Sequence, residues 1–321
     1  MATFLSSVVL AAALSQAPGG APAATGPDAI AAAQARLAQD SGNGRAWLAL
    51  GRAYLTAFDE AQARRARSDS SAPRAALDGA EQALARAAAL LGPAGASAEG
   101  DSARVLRVAG WSGRARLAVD GGGVRAGTDA WGPPPPDLRL TPVLEELGEN
   151  LLRACPTGGV LVTAGDVDAP AAWYLRFVRG LRPDLGFVPL AAWRGDPVWR
   201  QRLAAEWKLG TRGAGDGWLG ALAQRRPVCV SMAFERPPPL PGRAGMQWEP
   251  RPLVWVAGPE QGDRVPSGDF VFAALKLALD AHEAWAQAAL AVYDRAARLT
   301  PTLCETLARF QLTGEQVGCG T

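Results

Sequence analysis

Short apolar runs alternate with helix-period segments between residues 141 and 260. The runs, rich in Val and Leu, predict strands at 160–164, 187–191, 228–233 and 253–257. The segments between them predict helices at 171–180, 198–207 and 218–224. Such alternation predicts an α/β domain over 141–260, with a mostly parallel sheet and helices on both faces.

The helix before the first strand has clear start signals. Thr141 is expected to cap it through its hydroxyl, Pro142 suits the first helical position, and Glu145 and Glu146 suit the positive first turn.

Residues 25–93 carry a helical pattern with a specific repeat signature. Trp47, Leu50, Gly51 and Tyr54 stand at the W-x2-L-G-x2-Y spacing of a first repeat helix. The small and large residues expected on the second helix are Ala80, Leu84 and Ala87. This segment therefore resembles one tetratricopeptide repeat, preceded by a helix at 27–39. A single repeat cannot bury a continuous core, so neighbouring elements must cover it.

The segments flanking the sheet region are less regular. Residues 94–140 predict a linker with a β-hairpin, because two alternating apolar runs surround Ser112 and Gly113. Residues 261–321 predict repeat-like helices that close the chain, with one long helix at 269–299. A prolyl stretch at 133–136 predicts a stiff connector.

Composition narrows the class of protein and its compartment. With 33 basic and 31 acidic residues, the formal charge is +2, and no basic run marks a nucleic-acid surface. Residues 1–24 contain an apolar block without acidic or basic side chains, which predicts a secretory signal or a short anchor. We expect a periplasmic or exported protein, which is either soluble or attached to the membrane peripherally or through its N-terminus. The alternative is a cytoplasmic protein with an Ala/Pro-rich tail.

The four cysteines suit an oxidising compartment. An even number leaves three pairings open, as well as four unpaired thiols. Cys304 and Cys319 lie close in sequence around a short helix and form the candidate disulfide, whereas Cys155 and Cys229 are expected to be buried thiols. The chain has one histidine and no metal-site spacing of cysteines, so neither a metal nor another cofactor is predicted.

Asp166 and Asp168 follow the first predicted strand, at the edge of the sheet where open α/β folds bind ligands. One interpretation is structural, with Asp168 capping the helix that begins near Ala169 and Asp166 shaping the turn. The other is a metal or sugar site in which Trp173 or Tyr174 packs on the ligand.

The same stretch resembles a known family. The residues that carry the likeness are Thr163, Gly165, Asp166, Asp168, Trp173, Tyr174, Leu175, Gly180, Arg182, Pro183 and Asp184. Over residues 158–207 they are similar to the soluble C-terminal domain of bacterial protein O-mannosyltransferase-like membrane proteins. The resemblance implies an α/β fold and an envelope setting. Val167 and Ala169 replace an amide and a hydroxyl of the family pattern, which weakens the case for a shared activity.

These observations favour a non-catalytic binding or scaffold protein of the envelope, or an accessory subunit of a larger membrane complex. Its helical surfaces would contact protein partners, and no nucleic acid is expected. The alternative is a carbohydrate-related enzyme or ligand-binding domain with its site at Asp166 and Asp168.

Overall fold

A computed structural model of the protein describes residues 26–64, 70–122, 132–210, 217–240, 246–259, 269–312 and 317–319. The predicted export segment at 1–24 lies outside these ranges. Within them, no helix is both long and apolar enough to cross a bilayer. The chain has the expected α/β class, with a five-stranded sheet embedded among helices.

Three helices form the N-terminal layer: α1 (Pro27–Gln39), α2 (Gly44–Arg64) and α3 (Ser71–Leu90). The helices α2 and α3 pack closely because a glycine leaves room at the contact: a Cβ on Gly51 would approach the Leu84 side chain to 2.5 Å. The Tyr54 ring lies on Gly79 in the same way, since a Cβ there would come within 2.8 Å of it. Gly44 contacts Leu91 at the opposite end of the pair, so the two helices run antiparallel.

The predicted hairpin is wrong, because residues 98–122 form one helix, α4 (Ala98–Gly122). Its Leu117 packs with α2 and α3, while Val105 and Val108 join the core of the sheet region. Gly113 is not in a turn: it lets α4 approach Leu77 and Phe58, which a Cβ would meet at 3.1 Å. Both faces of α4 are thus buried, and it connects the N-terminal helices to the sheet.

The sheet region follows in the order α5 (Pro142–Ala154), β1 (Val160–Thr163), α6 (Asp168–Trp173) with a π-helical extension (Tyr174–Val178), β2 (Gly186–Pro189), α7 (Leu190–Gly195), α8 (Pro197–Glu206), α9 (Trp218–Ala223), β3 (Val228–Ser231), β4 (Glu249–Arg251) and β5 (Val254–Ala257). The strand order is β2-β1-β3-β5-β4. β1 pairs in parallel with both β2 and β3. The β1–β2 connection and the β2–β3 connection cross the sheet in opposite directions. If both are right-handed, as such crossovers almost always are, their helices lie on opposite faces of the sheet.

The sheet is mixed rather than mostly parallel. β5 runs antiparallel to β3 and to β4, with which it forms a hairpin across Pro252 and Leu253. β4 follows β3 in the chain and runs in the same direction, but the two strands do not pair. The tight turn after β4 reverses the chain, so that β5 lies between β3 and β4 and is antiparallel to both.

The start of α5 differs from expectation in one respect. The helix begins at Pro142 as predicted, but the Thr141 side chain makes no capping hydrogen bond. The Thr141 hydroxyl is buried and has no hydrogen-bond partner among the described residues. Proline at the first position, which needs no donor partner, accounts for the helix start instead.

The C-terminal helices are α10 (Ala273–Asp280), α11 (Ala286–Leu299) and α12 (Thr302–Arg309), so the predicted single helix at 269–299 is broken. The break lies at His282, whose φ of 55° is left-handed. Glu146 on α5 accepts hydrogen bonds from the amides of Ala274 and Leu275, at 2.8 and 2.9 Å, and thereby caps α10. Burial of this carboxyl raises its pKa to about 7, against the lowering effect of those amides.

Two disulfides are formed. Cys304 is joined to Cys319, the pair that the sequence singles out. Cys155 and Cys229, expected to be thiols, are also joined and tie the end of α5 to β3. Their bond is buried in the main core, so the apolar surroundings that suggested packed thiols enclose a disulfide instead.

Candidate functional site

A cleft of about 580 Å³, which we call the deep cleft, lies at the edge of the sheet. It lies beyond the carboxyl ends of β1 and β2, where open α/β sheets commonly bind ligands. Residues of α2 and α4 form one wall, and the β1–α6 turn and α7 form the other. The deep cleft is thus made jointly by the N-terminal helices and the sheet region.

Asp168 has a structural role, although not the predicted one. Its carboxylate accepts hydrogen bonds from the amides of Ala164, at 2.8 Å, and Gly165, at 2.9 Å, both before it in the chain. It therefore holds the β1–α6 turn rather than capping α6 through later amides. Ser231, at the end of β3, adds a hydroxyl donor. The side chain is fully buried, and desolvation raises its pKa while these hydrogen bonds oppose the rise.

Asp166 is the exposed member of the pair. It lines the deep cleft and makes no hydrogen bond or ion pair within the part of the chain that the structure describes. Because Asp168 is buried behind the turn, the two carboxylates do not converge on one opening. A metal or acid–base pair made of both aspartates is therefore not formed.

The aromatic residues predicted to pack on a ligand are core residues. Trp173 and Tyr174 are each 2% exposed and belong to the main hydrophobic cluster. Trp173 packs against Phe177 with ring centroids 5.7 Å apart. Neither ring offers a face to the deep cleft, so the aromatic half of the sugar-site prediction fails.

Arg182 and Asp184 stabilise the end of α5, whereas the carbonyl oxygen of Pro183 accepts a hydrogen bond from Arg176. Arg182 Nη1 donates to the carbonyl oxygen of Leu152 at 2.7 Å and to that of Cys155 at 3.1 Å. Its other donors hold Asp184 in a bidentate pair at 2.9 Å, and Asp184 accepts the amide of Gly158. These bonds lower the pKa of Asp184 to about 2, the hydrogen bonds from Arg182 being the main cause.

Sequence reasoning missed the polar residues of the opposite wall. Gln62 on α2 donates from Nε2 to Asp196 at 2.5 Å, and the second oxygen of Asp196 accepts the Trp199 amide. Arg116 on α4 places Nη2 4.0 Å from Asp59 and its guanidinium over the Phe58 ring. Two buried atoms, Gln62 Oε1 and Arg116 Nε, have no hydrogen-bond partner among the described residues.

Burial and charge act together on these groups. Desolvation lowers the pKa of Arg116, while Asp59 and Asp196 raise it. Desolvation by the cleft walls raises the pKa of Asp59, and Arg116 opposes this effect. Since 76% of the Asp59 side chain still contacts water in the open cleft, its carboxylate remains well hydrated.

Helical spacing was the signal that could have identified this wall. Asp59 and Gln62 are three residues apart, and Ser112 and Arg116 are four apart, so each pair lies on one face of its helix. Because residues 104–119 were predicted to form a hairpin, the second pair could not be recognised.

The described residues contain no group of three or more His, Cys, Asp or Glu side chains arranged to hold a metal ion. The deep cleft instead offers a guanidinium, an amide oxygen and exposed carboxylates, groups that bind polar ligands through hydrogen bonds and charge. Comparisons of the chain with protein-family models, with curated proteins and with solved structures give no match.

Proposed function

We propose that the protein is a non-catalytic binding protein of the cell envelope, an accessory subunit that contacts a protein partner through its N-terminal helices. A second concavity carries this proposal. It measures about 410 Å³ and runs along α2 between Gly26, Arg45, Arg52 and Glu99; we call it the α2 groove. Apolar positions of α2 line it, with charged side chains at its margins, as at surfaces that bind protein segments.

The role of Asp168 supports binding over catalysis. One carboxylate of the predicted pair is buried and bonded to two amides, so it is not available to move a proton or hold a metal. The remaining carboxylate, Asp166, has no second group beside it that would complete the predicted pair.

We infer that α2 and α3 are the two helices of one tetratricopeptide repeat. The approach of Gly51 to Leu84 and the full burial of Ala80 and Ala87 support this assignment. α4 then takes the place of the next repeat helix, which explains how a single repeat is covered.

Export is part of the proposal. Two disulfides and no free cysteine among the described residues are consistent with an oxidising compartment. The predicted signal or anchor at 1–24 points the same way.

Site-specific crosslinking from the α2 groove tests the proposal. A photoreactive amino acid is placed at Arg45, whose side chain is 78% exposed and whose surface ion pair contributes little to stability. The control carries the same group at Arg298 on α11, 66% exposed and outside the groove. We expect one stoichiometric adduct in native membranes or periplasm from position 45 alone. Equal adducts from both positions, or none from position 45, contradict the proposal.

A ligand-binding role has separate support from the deep cleft. The carbohydrate version of this alternative is weakened, because Trp173 and Tyr174 are buried and Asp168 does not reach the opening. A polar ligand other than a sugar is therefore the form of this role that fits the residues present.

A further inference from the structure

The orientation of the Gln62 amide defines one requirement of the deep cleft. Its nitrogen must face Asp196, because a carboxylate accepts hydrogen bonds and cannot donate them. Among the described residues, the oxygen Oε1 is then left as an acceptor without a partner, although Gln62 is only 2% exposed. A buried acceptor of this kind is stabilised by a ligand that supplies an N–H or O–H donor.

Arg116 defines the opposite requirement. Its side chain is 16% exposed, and its nearest carboxylate, Asp59, lies at 4.0 Å, the outer limit of an ion pair. Nε is buried and has no partner in the part of the chain that the structure describes, so this permanently charged group retains a donor for an anion.

Carboxylates complete the set of charges. Asp59 reaches the water of the cleft from α2, and Asp166 lies on the wall made by the sheet region. Arg52 on α2 adds a second guanidinium to the lining, so the deep cleft offers cations and an orphaned acceptor beside negative charges. A ligand with a single charge would satisfy only part of this arrangement, since it would face groups of its own sign.

We propose that the deep cleft binds a small zwitterion with an ammonium group and a carboxylate close together, as in a free amino acid. The ligand carboxylate accepts from Arg116. The ammonium group has three N–H donors, which go to Gln62 Oε1 and to the carboxylates of Asp59 and Asp166. At about 580 Å³, the cleft is within the usual size of small-molecule sites and leaves room for the ligand's own side chain.

This inference goes beyond the proposed function and does not depend on it. The α2 groove and the deep cleft are adjacent and share Arg52 and Thr56. The groups that would hold the zwitterion, however, line only the deep cleft. Failure of the crosslinking experiment would leave this inference standing, and failure of amino-acid binding would leave the partner proposal standing.

The test uses the full chain and measures thermal stabilisation and calorimetric binding. The probes are the common L-amino acids at about 10 mM each, with D-glucose and inorganic phosphate as neutral and anionic comparisons. We expect at least one amino acid to bind and to raise the melting temperature. Its N-acetyl derivative and its methyl ester, which each lose one charge, should bind at least about tenfold more weakly.

Two variants locate the binding. Asp166→Asn removes an exposed carboxylate that makes no hydrogen bond or ion pair among the described residues, and Arg116→Gln removes the guanidinium that would hold the ligand carboxylate. Each should weaken binding by at least about tenfold. The matched control is Asp78→Asn, which removes a 63% exposed carboxylate on α3, outside the cleft. This control should bind as the wild type does.

A third variant keeps the test valid if Arg116→Gln does not fold. Gly165 lines the deep cleft, and a Cβ built on it meets no atom within 4 Å, so Gly165→Val should fold and obstruct the ligand. Three results would overturn the proposal: no amino acid binds, the singly charged derivatives bind as tightly as the parent, or all three variants keep wild-type affinity. Binding of glucose or phosphate alone would also overturn it.

Discussion

Replacing each aspartate of the Asp166–Asp168 pair in turn separates a structural carboxylate from an exposed one. In Asp168→Ala, the amides of Ala164 and Gly165 lose their acceptor at the end of a buried strand. An unpaired buried amide costs about 1–3 kcal/mol, so the two together should lower the free energy of unfolding by about 3 kcal/mol or more. Asp166→Ala removes a side chain with no described bond and should change it by about 0.5 kcal/mol or less.

Urea unfolding of the oxidised protein at neutral pH, followed by tryptophan fluorescence, measures both values. The dependence on urea should stay the same for the two variants, since neither alters the surface exposed on unfolding. Asp168→Asn, which keeps one acceptor oxygen, should fall between Asp168→Ala and wild type. Equal stability losses in the two alanine variants, or a larger loss at Asp166, would refute the assignment of roles.

The other predictions concern the packing and the disulfides. The pKa of Glu146 is raised to about 7, so ionisation of this carboxyl disfavours the folded state, and the free energy of unfolding should fall by up to about 3 kcal/mol between pH 4.5 and 7. Glu146→Gln should remove this part of the pH dependence when unfolding is measured at several pH values. Gly51→Ala should lower the free energy of unfolding by about 1–3 kcal/mol through overpacking on α3. Gly110→Ala, whose Cβ would make an ordinary 3.6 Å contact, should be neutral or stabilising, and chemical denaturation measures both variants. Thiol titration of the denatured, unreduced protein should detect no free cysteine, and replacing Cys155 and Cys229 with alanine should lower stability by about 4 kcal/mol, given their separation of 74 residues.

The sequence located four of the five described strands, and the helices α1, α8 and α9, within two residues, because local periodicity determines them; β4 and α7 were not predicted. β1, predicted at 160–164, spans Val160–Thr163, and α1 has the predicted bounds. Strand direction was harder to predict, since it depends on how the chain returns to the sheet. The antiparallel direction of β5 follows from its hairpin with β4, a strand whose short Glu249–Arg251 segment has no apolar alternation to reveal it.

The helix α4 shows where periodicity misleads. Its apolar residues serve two partners, with Leu117 facing α2 and α3 and Val108 and Trp111 facing the sheet region. Two opposite buried faces produce a pattern that resembles the alternation of a strand. The Ser112–Gly113 pair then suggests a turn, although the glycine instead allows α4 to pack closely on its neighbouring helices.

The candidate site was predicted in part for the same reason. A motif after a strand can be seen in one stretch of sequence, and Asp166 does line the deep cleft as its position at the sheet edge suggests. Gln62 and Arg116 are 54 positions apart in the chain and line the same cleft only because α4 packs beside α2. Their unpaired atoms follow from tertiary burial, which a single sequence does not encode locally.

The structural roles of the motif residues limit which properties the family resemblance can predict. Asp168 holds the β1–α6 turn, Arg182 and Asp184 hold the end of α5, and Trp173 fills the core. Each of these tasks belongs to the fold and would be needed whatever ligand the domain binds. Asp166 alone among them combines exposure with a place in the deep cleft. The resemblance stays a prediction, and these residues would carry a shared framework rather than a shared ligand; the proposed zwitterion would instead be held mainly by the wall that α2 and α4 contribute.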